Sequence, residues 1–166
     1  MSEWIVDTNV AIVANGRSES DKRPLKISCR LAAVEFLQKL LTNGTVLLDL
    51  GGAIQSEYRS HLRPSGQPGV GDRFYQVILN SVPERVRRVE LPKDTQGEYE
   101  DLPRSLINAD FDPSDRKFAA LACREKAPIA NATDSDWIHA ATVLASEDIV
   151  VHNLCGSKTE LWFSDS

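Results

Sequence analysis

Short apolar runs alternate with longer stretches of helical spacing along this chain, and that alternation is the first constraint on its fold. Trp4 to Val6 is a brief apolar strand that stops abruptly at Asp7, after which TNVAIVAN resumes an apolar pattern. Gly16 to Lys26 is polar and reads as a loop or the edge of a lid. From Ser28 to Leu41 the residues Leu31, Val34, Leu37, Leu40 and Leu41 recur at helical spacing, and Asn43-Gly44 supplies the stop. Thr45 to Leu50 is short, apolar and β-branched at its start, as a buried parallel strand should be. Gly51-Gly52 opens a second helix through Ile54 and Tyr58 to Leu62, closed by Pro64. Pro64 to Gly71 reads as the most flexible interior segment, followed by a helix over Asp72 to Ser81 with Phe74, Val77 and Ile78 inward.

The second half repeats the scheme. Arg85 to Leu91 mixes basic and apolar residues as a half-exposed strand does, and Pro92 to Arg104 is an irregular loop. Asp112 and Pro113 then start a helix as N-cap and first helical residue, with Phe118, Leu121 and Ala122 on its apolar stripe. APIANA is a strand, DSDWIHAATVLAS a loop entering a helix, and DIVVHNL the last strand. Strands alternating with helices imply right-handed crossovers, hence an α/β fold of three layers, α/β/α, with a mostly parallel central sheet. We expect one domain over residues 1–166, without internal repeats.

Composition adds three restrictions. Cys29, Cys123 and Cys155 are odd in number and widely spaced, with no Cys-x-x-Cys pair, and read as reduced thiols of a cytoplasmic protein. The first residues, MSEWIVD, carry acid where a signal peptide carries positive charge, and no apolar run approaches the roughly 20 residues that cross a bilayer. The net charge of −5 argues at first against a nucleic-acid partner. If five of the 24 acids serve one metal site, however, the 19 left balance the 19 bases, and bound cations can themselves attract a phosphate.

Five acids fall where such a fold places ligands, at the carboxyl ends of parallel strands. Asp7 ends the first strand, and Asp134 and Asp136 follow the strand at Ile129 to Asn131. Glu57 sits about two turns into the helix after the second strand, and Asp115 lies in the first turn of the helix before the Asp134 strand. Carboxylates gathered without a cation repel one another and some protonate. With Mg²⁺ or Mn²⁺ among them the charge balances, a bound water is acidified and charge building on a phosphoryl oxygen is neutralised.

The order IVDTNV, AIQSEY, DPSDRKFAALA, ATDSDW resembles the signature of the PIN-domain family, whose members include VapC-like toxins, across Ile5 to Val151. That resemblance implies a metal-dependent endoribonuclease, with Asp7, Glu57, Asp115 and Asp134 as catalytic metal ligands and Asp136 as the additional acid. It also implies an RNA substrate, single-stranded in our reading, a toxin paired with an antitoxin protein, and a homodimer. Asn9 matches a residue that hydrogen-bonds within the site, and Thr8 has the same opportunity. The chain departs from the compact toxins by its length at Gly16 to Lys26 and Pro64 to Arg104, and by Ala132 where the late motif usually has threonine.

Around these acids, Arg59 and Arg116 are candidates for holding substrate phosphates, with Arg63, Arg73 and Lys117 nearby. Trp137 adjoins the acids and combines a packing role with a surface on which a base could stack. His61, His139 and His152 have no zinc spacing, and the glycines from Gly66 to Gly71 lack the Lys-Ser/Thr that a phosphate loop requires. Two alternatives compete with the nuclease. A catalytically silent PIN-like module, binding a partner protein or nucleic acid through the acids, has no physical reason to keep mutually repelling carboxylates. A phosphatase or receiver-like protein would want an aspartate where Asn9 stands.

Overall fold

The computed structural model of the chain describes residues 2–17 and 23–164. Five strands, β1 (Glu3–Val6), β2 (Thr45–Asp49), β3 (Val86–Val89), β4 (Ile129–Asn131) and β5 (Val151–Asn153), form one all-parallel sheet in the order β3-β2-β1-β4-β5. The chain builds outward from β1 through β2 to β3, then crosses back to the other side of β1 for β4 and β5. The topological switch point therefore lies between β1 and β4, where the crossover loops of neighbouring strands leave in opposite directions and open a crevice. Strands β2 and β4 are almost wholly buried and β1 is buried over its second half, Ile5 and Val6, while the edge strand β3 keeps its arginines half exposed.

Helices α1 (Thr8–Ala14), α2 (Ile27–Asn43) and α4 (Val70–Leu79) pack against one another, with α3 (Ala53–His61) touching α1, α4 and β2. Helix α6 (Arg116–Glu125) packs against β1, β2 and β4, and the short helices α5 (Arg104–Asn108), α7 (Asp136–His139) and α8 (Ala141–Ser146) complete its side. The three-layer α/β/α arrangement expected from the alternation of elements is present. Helix α1 is the continuation of TNVAIVAN, and it is buried along its length from Val10 to Ala14 because it runs beneath α2 and α4.

Several local expectations need correction. The inward face of α2 is Cys29, Ala33, Phe36, Leu37 and Leu40, whereas Leu31 is 52% exposed and Val34 and Leu41 are only partly buried. The periodicity was real, but its phase is set by Phe36, whose ring meets Trp4 edge-on at 5.0 Å. The turn from Pro64 to Gly71 is pinned rather than loose. The carboxylate of Asp72 accepts from the amides of Arg63 (2.8 Å) and Gly69 (2.9 Å) and from the Asn15 side chain (3.0 Å). The reduced-thiol reading also fails, because Cys29 and Cys155 are joined in a disulfide and only Cys123 is a free thiol. The cytoplasmic placement thereby loses its cysteine argument; among the described residues, no helix is long and apolar enough to cross a membrane. The Gly16 to Lys26 loop is described only in part, since 18–22 lie outside the described residues.

The last glycine of this turn serves packing. A Cβ built on Gly71 would overlap the carbonyl oxygen of Ala11, so glycine is what lets α4 lie backbone to backbone on α1. Gly71→Ala is expected to cost about 1–3 kcal/mol through forced separation of the two helices, read as a lowered urea midpoint. An unchanged midpoint would mean the helices are not in contact there.

Candidate metal centre

Three of the predicted acids converge at the switch point. Asp7, Asp115 and Asp134 each present a carboxylate oxygen within 4.8 Å of the others, at the head of a cleft of about 390 Å³. Asp7 leaves the end of β1, Asp134 follows β4, and Asp115 closes a 3₁₀ turn, Pro113–Asp115, that leads into α6. Asp112 caps that turn as expected, accepting from the Ser114 amide at 2.9 Å. Cap and proline together fix where Asp115 points.

Each acid is held by a different means. One oxygen of Asp7 accepts from the Asn9 amide at 3.1 Å, capping α1, and the other accepts from the Trp137 indole at 2.6 Å. Trp137 is 1% exposed and edge-on to Phe111, so the base-stacking role considered for it is excluded; it shields Asp7 from water and orients it. Asn9 is a clamp between α1 and the loop after β4: its amide nitrogen donates to Asn131 (3.0 Å) and its oxygen accepts from the amides of Ala132 and Thr133 (2.8 and 2.9 Å). Asn131 in turn accepts from the Asp134 amide and donates to the Asp134 carbonyl and to Asn153. Asp134 is thus placed by a chain of asparagines reaching from α1 to β5. Asn131 and Asn153 escaped the sequence reading, and the only signal for them was an asparagine at the end of each strand.

Among the described residues, Asp115 differs from every other buried acid. It is 5% exposed, yet its Oδ2 has no hydrogen-bond partner. Asp49, equally buried at the end of β2, shows what a structural carboxylate does instead: it accepts from the amides of Ala53 and Ile54 at 2.8 and 2.9 Å and caps α3. A buried carboxylate oxygen without a donor costs more than a lost hydrogen bond unless something cationic faces it.

The electrostatics follow. Burial, and then the neighbouring charges of Asp7 and Asp134, push the Asp115 carboxyl up to about 9. Burial and Asp134 push Asp7 up to about 7, against the lowering effect of its hydrogen bonds, and burial also raises Asp134. These groups cannot all be ionised near neutral pH without a compensating cation. An all-carboxylate triad of this size, with the Asp115 Oδ2 left without a donor, could hold a hard ion that prefers oxygen ligands.

The remaining predicted residues fall into three groups. Glu57 lines the cleft, but its carboxylate is engaged: Oε1 accepts from Lys117 Nζ at 2.8 Å and Oε2 from the Thr8 hydroxyl. Asp136 belongs to a second group with Asp112 and Asp115, whose oxygens also lie within 4.8 Å of one another. Burial raises Asp136, while its hydrogen bonds to Ser114 lower Asp112. Arg116 already has partners: its Nε donates to the Phe111 carbonyl (2.9 Å) and its Nη1 pairs with Glu98 (3.2 Å). Arg59 is exposed and outside the cleft lining. His61 does line the cleft; it sits four residues beyond Glu57 on the same face of α3, a spacing that could have revealed it.

Fold and site together define a class: a doubly wound parallel α/β domain with a buried carboxylate cluster at its switch point. No family model matches the chain, no curated protein matches it, and no solved structure matches it.

Proposed function

We propose that this chain is a Mg²⁺- or Mn²⁺-dependent endoribonuclease of the PIN-domain type, hydrolysing phosphodiesters of single-stranded RNA. The observation that carries the reading is the buried, unpartnered carboxylate of Asp115 facing Asp7 and Asp134 at the mouth of a cleft. In this reading Asp7, Asp115 and Asp134 hold the ion, and the asparagine clamp of Asn9 and Asn131 fixes Asp134 relative to Asp7. When bound, the ion supplies Lewis-acid stabilisation of the phosphoryl oxygens and an acidified water. Asp136 and Asp112, beside Asp115, extend the acidic surface toward a neighbouring cavity. A silent binding module is disfavoured by the same orphan oxygen, since a partner protein docking at the surface leaves a buried carboxylate without a donor. The PIN resemblance extends the proposal to a cytoplasmic toxin held by an antitoxin protein and to a homodimer.

The test is direct. A fluorescent single-stranded RNA oligonucleotide is expected to be cut in the presence of Mn²⁺ and left intact in EDTA. Mn²⁺ at 100 times its Kd is expected to stabilise the fold by about 2.7 kcal/mol. RNA cleavage undiminished in EDTA would overturn the metal-dependent reading, and a folded protein that neither binds Mn²⁺ nor cuts RNA would overturn the nuclease itself.

A further inference from the structure

Lys117 is an unexpected residue to find where it is. Its side chain is 11% exposed, in the first turn of α6, where an ammonium opposes the helix macrodipole and loses most of its hydration. Helix stability therefore cannot be its reason. Two acceptors do reward it, the Glu57 carboxylate at 2.8 Å and the Ser114 carbonyl, and its ammonium lies 4.9 Å from the centre of the Phe118 ring. Glu57 is reached from the other side by the Thr8 hydroxyl. The pair thus ties α6 to α3, and through Thr8 to α1, along the wall of the same cleft that the three aspartates head.

Resting on the metal-site reading above, we propose that Lys117 is a resident counter-charge that keeps Glu57 out of the ion's coordination sphere, so that the cation is held by Asp7, Asp115 and Asp134 alone. Both Glu57 oxygens already have strong donors, and Glu57 is absent from the group of acids whose oxygens converge within 4.8 Å. A neutral Glu57–Lys117 wall has a consequence for substrate. Three carboxylates against a divalent ion leave less negative charge than four, so an RNA phosphate meets weaker repulsion as it approaches the cleft. Lys117 is a positioning residue in this account, acting on Glu57 rather than on the phosphate.

Two variants read this out by calorimetric Mn²⁺ titration of the whole chain. The pair replaced by neutral groups of similar shape, Glu57→Gln with Lys117→Met, is expected to bind Mn²⁺ within about 3-fold of wild type, because no ligand has been removed and the net charge is unchanged. Lys117→Met alone frees Glu57 toward the ion and is expected to tighten Mn²⁺ at least about 10-fold while raising KM for RNA more than it lowers kcat. A double variant that loses 10-fold or more of its affinity shows Glu57 to be a ligand and overturns the proposal, as does a folded Lys117→Met protein with wild-type affinity. Should Lys117→Met fail to fold, the double variant, which leaves no charge unpaired, still decides. No Mn²⁺ binding by wild type would instead overturn the metal site, and the proposal with it.

Discussion

Asp115→Asn is expected to lower Mn²⁺-dependent RNA cleavage by at least about 10³-fold, some 4 kcal/mol of transition-state stabilisation, while making the metal-free protein more stable. The two effects have one origin. Asp115 has a buried oxygen with no partner, so an amide that cannot ionise removes the cost of burying a titrating carboxyl without disturbing a hydrogen bond at that oxygen. The sign of the pH dependence follows from the raised carboxyls. Asp115 titrates near 9 and Asp7 near 7 in the folded chain, well above the usual carboxylate range. Between about pH 4 and these values the folded chain holds protons that the unfolded chain has released, so metal-free stability falls as pH rises through this window. The asparagine removes the largest of these penalties. Its advantage over wild type, on the order of 1–3 kcal/mol at pH 8, shrinks toward pH 4 and reverses once Mn²⁺ saturates the wild-type site. Urea unfolding at pH 5 and pH 8, with EDTA and with Mn²⁺, measures all four corners. An Asp115→Asn protein that is less stable than wild type in EDTA at pH 8 would show that the carboxylate has a structural partner.

Asp7→Asn is expected to abolish the same activity on the same grounds, but it is the less clean substitution. Asp7 accepts from two donors on two different oxygens, and an asparagine there turns an NH₂ toward either the Trp137 indole or the Asn9 amide. Its stability change mixes a lost hydrogen bond with relieved repulsion.

This contrast shows what was legible in the sequence. Asp7 and Asp134 could be placed because a strand's end is visible as the point where an apolar run stops, and strand ends on both sides of a switch point must meet. Asp115 was legible as a first-turn acid, but that it lacks a partner while Asp49 has two is a matter of which amides face each carboxylate, and no spacing records it. Glu57 was placed on the helix after the second strand, yet its partner Lys117 lies 60 residues away and was read only as one of the bases near the acids. The partners of Arg116 were hidden for the same reason: Phe111 lies just before the 3₁₀ turn and Glu98 between β3 and α5, in stretches with no periodicity to read. In α2 the helix was plain but its phase was not. Leucines lie on both sides of it, and only packing against Trp4 selects the side carrying Phe36.

The disulfide is the feature furthest from the sequence reading, and reducing it is expected to have the largest effect on stability. Cys29 lies in the first turn of α2 and Cys155 in the turn after β5, 126 residues apart. The same two regions are already laced together: Leu25 bridges Phe163, the Lys26 amide donates to the Trp162 carbonyl at 2.9 Å, and the Ser164 amide donates to the Pro24 carbonyl at 2.8 Å. The cross-link therefore closes a loop that spans most of the chain while adding to contacts that are present without it. Its main contribution is to restrict the unfolded ensemble, worth about 2–4 kcal/mol. Reduction by excess dithiothreitol, which takes up the oxidising equivalents as its own cyclic disulfide, is expected to lower the unfolding midpoint by roughly 5–15 °C. Thiol titration in denaturant should count one group before reduction and three after. Cys29→Ser combined with Cys155→Ser should reproduce the reduced protein and become insensitive to the reagent. The metal centre should be largely spared. Asn153, two residues before Cys155, reaches Asp134 through Asn131, but its strand is held to β4 by the sheet ladder and not by the cross-link. Three thiols in the protein before reduction, or a double variant as stable as wild type, would remove the cross-link from the account of how the two ends are held.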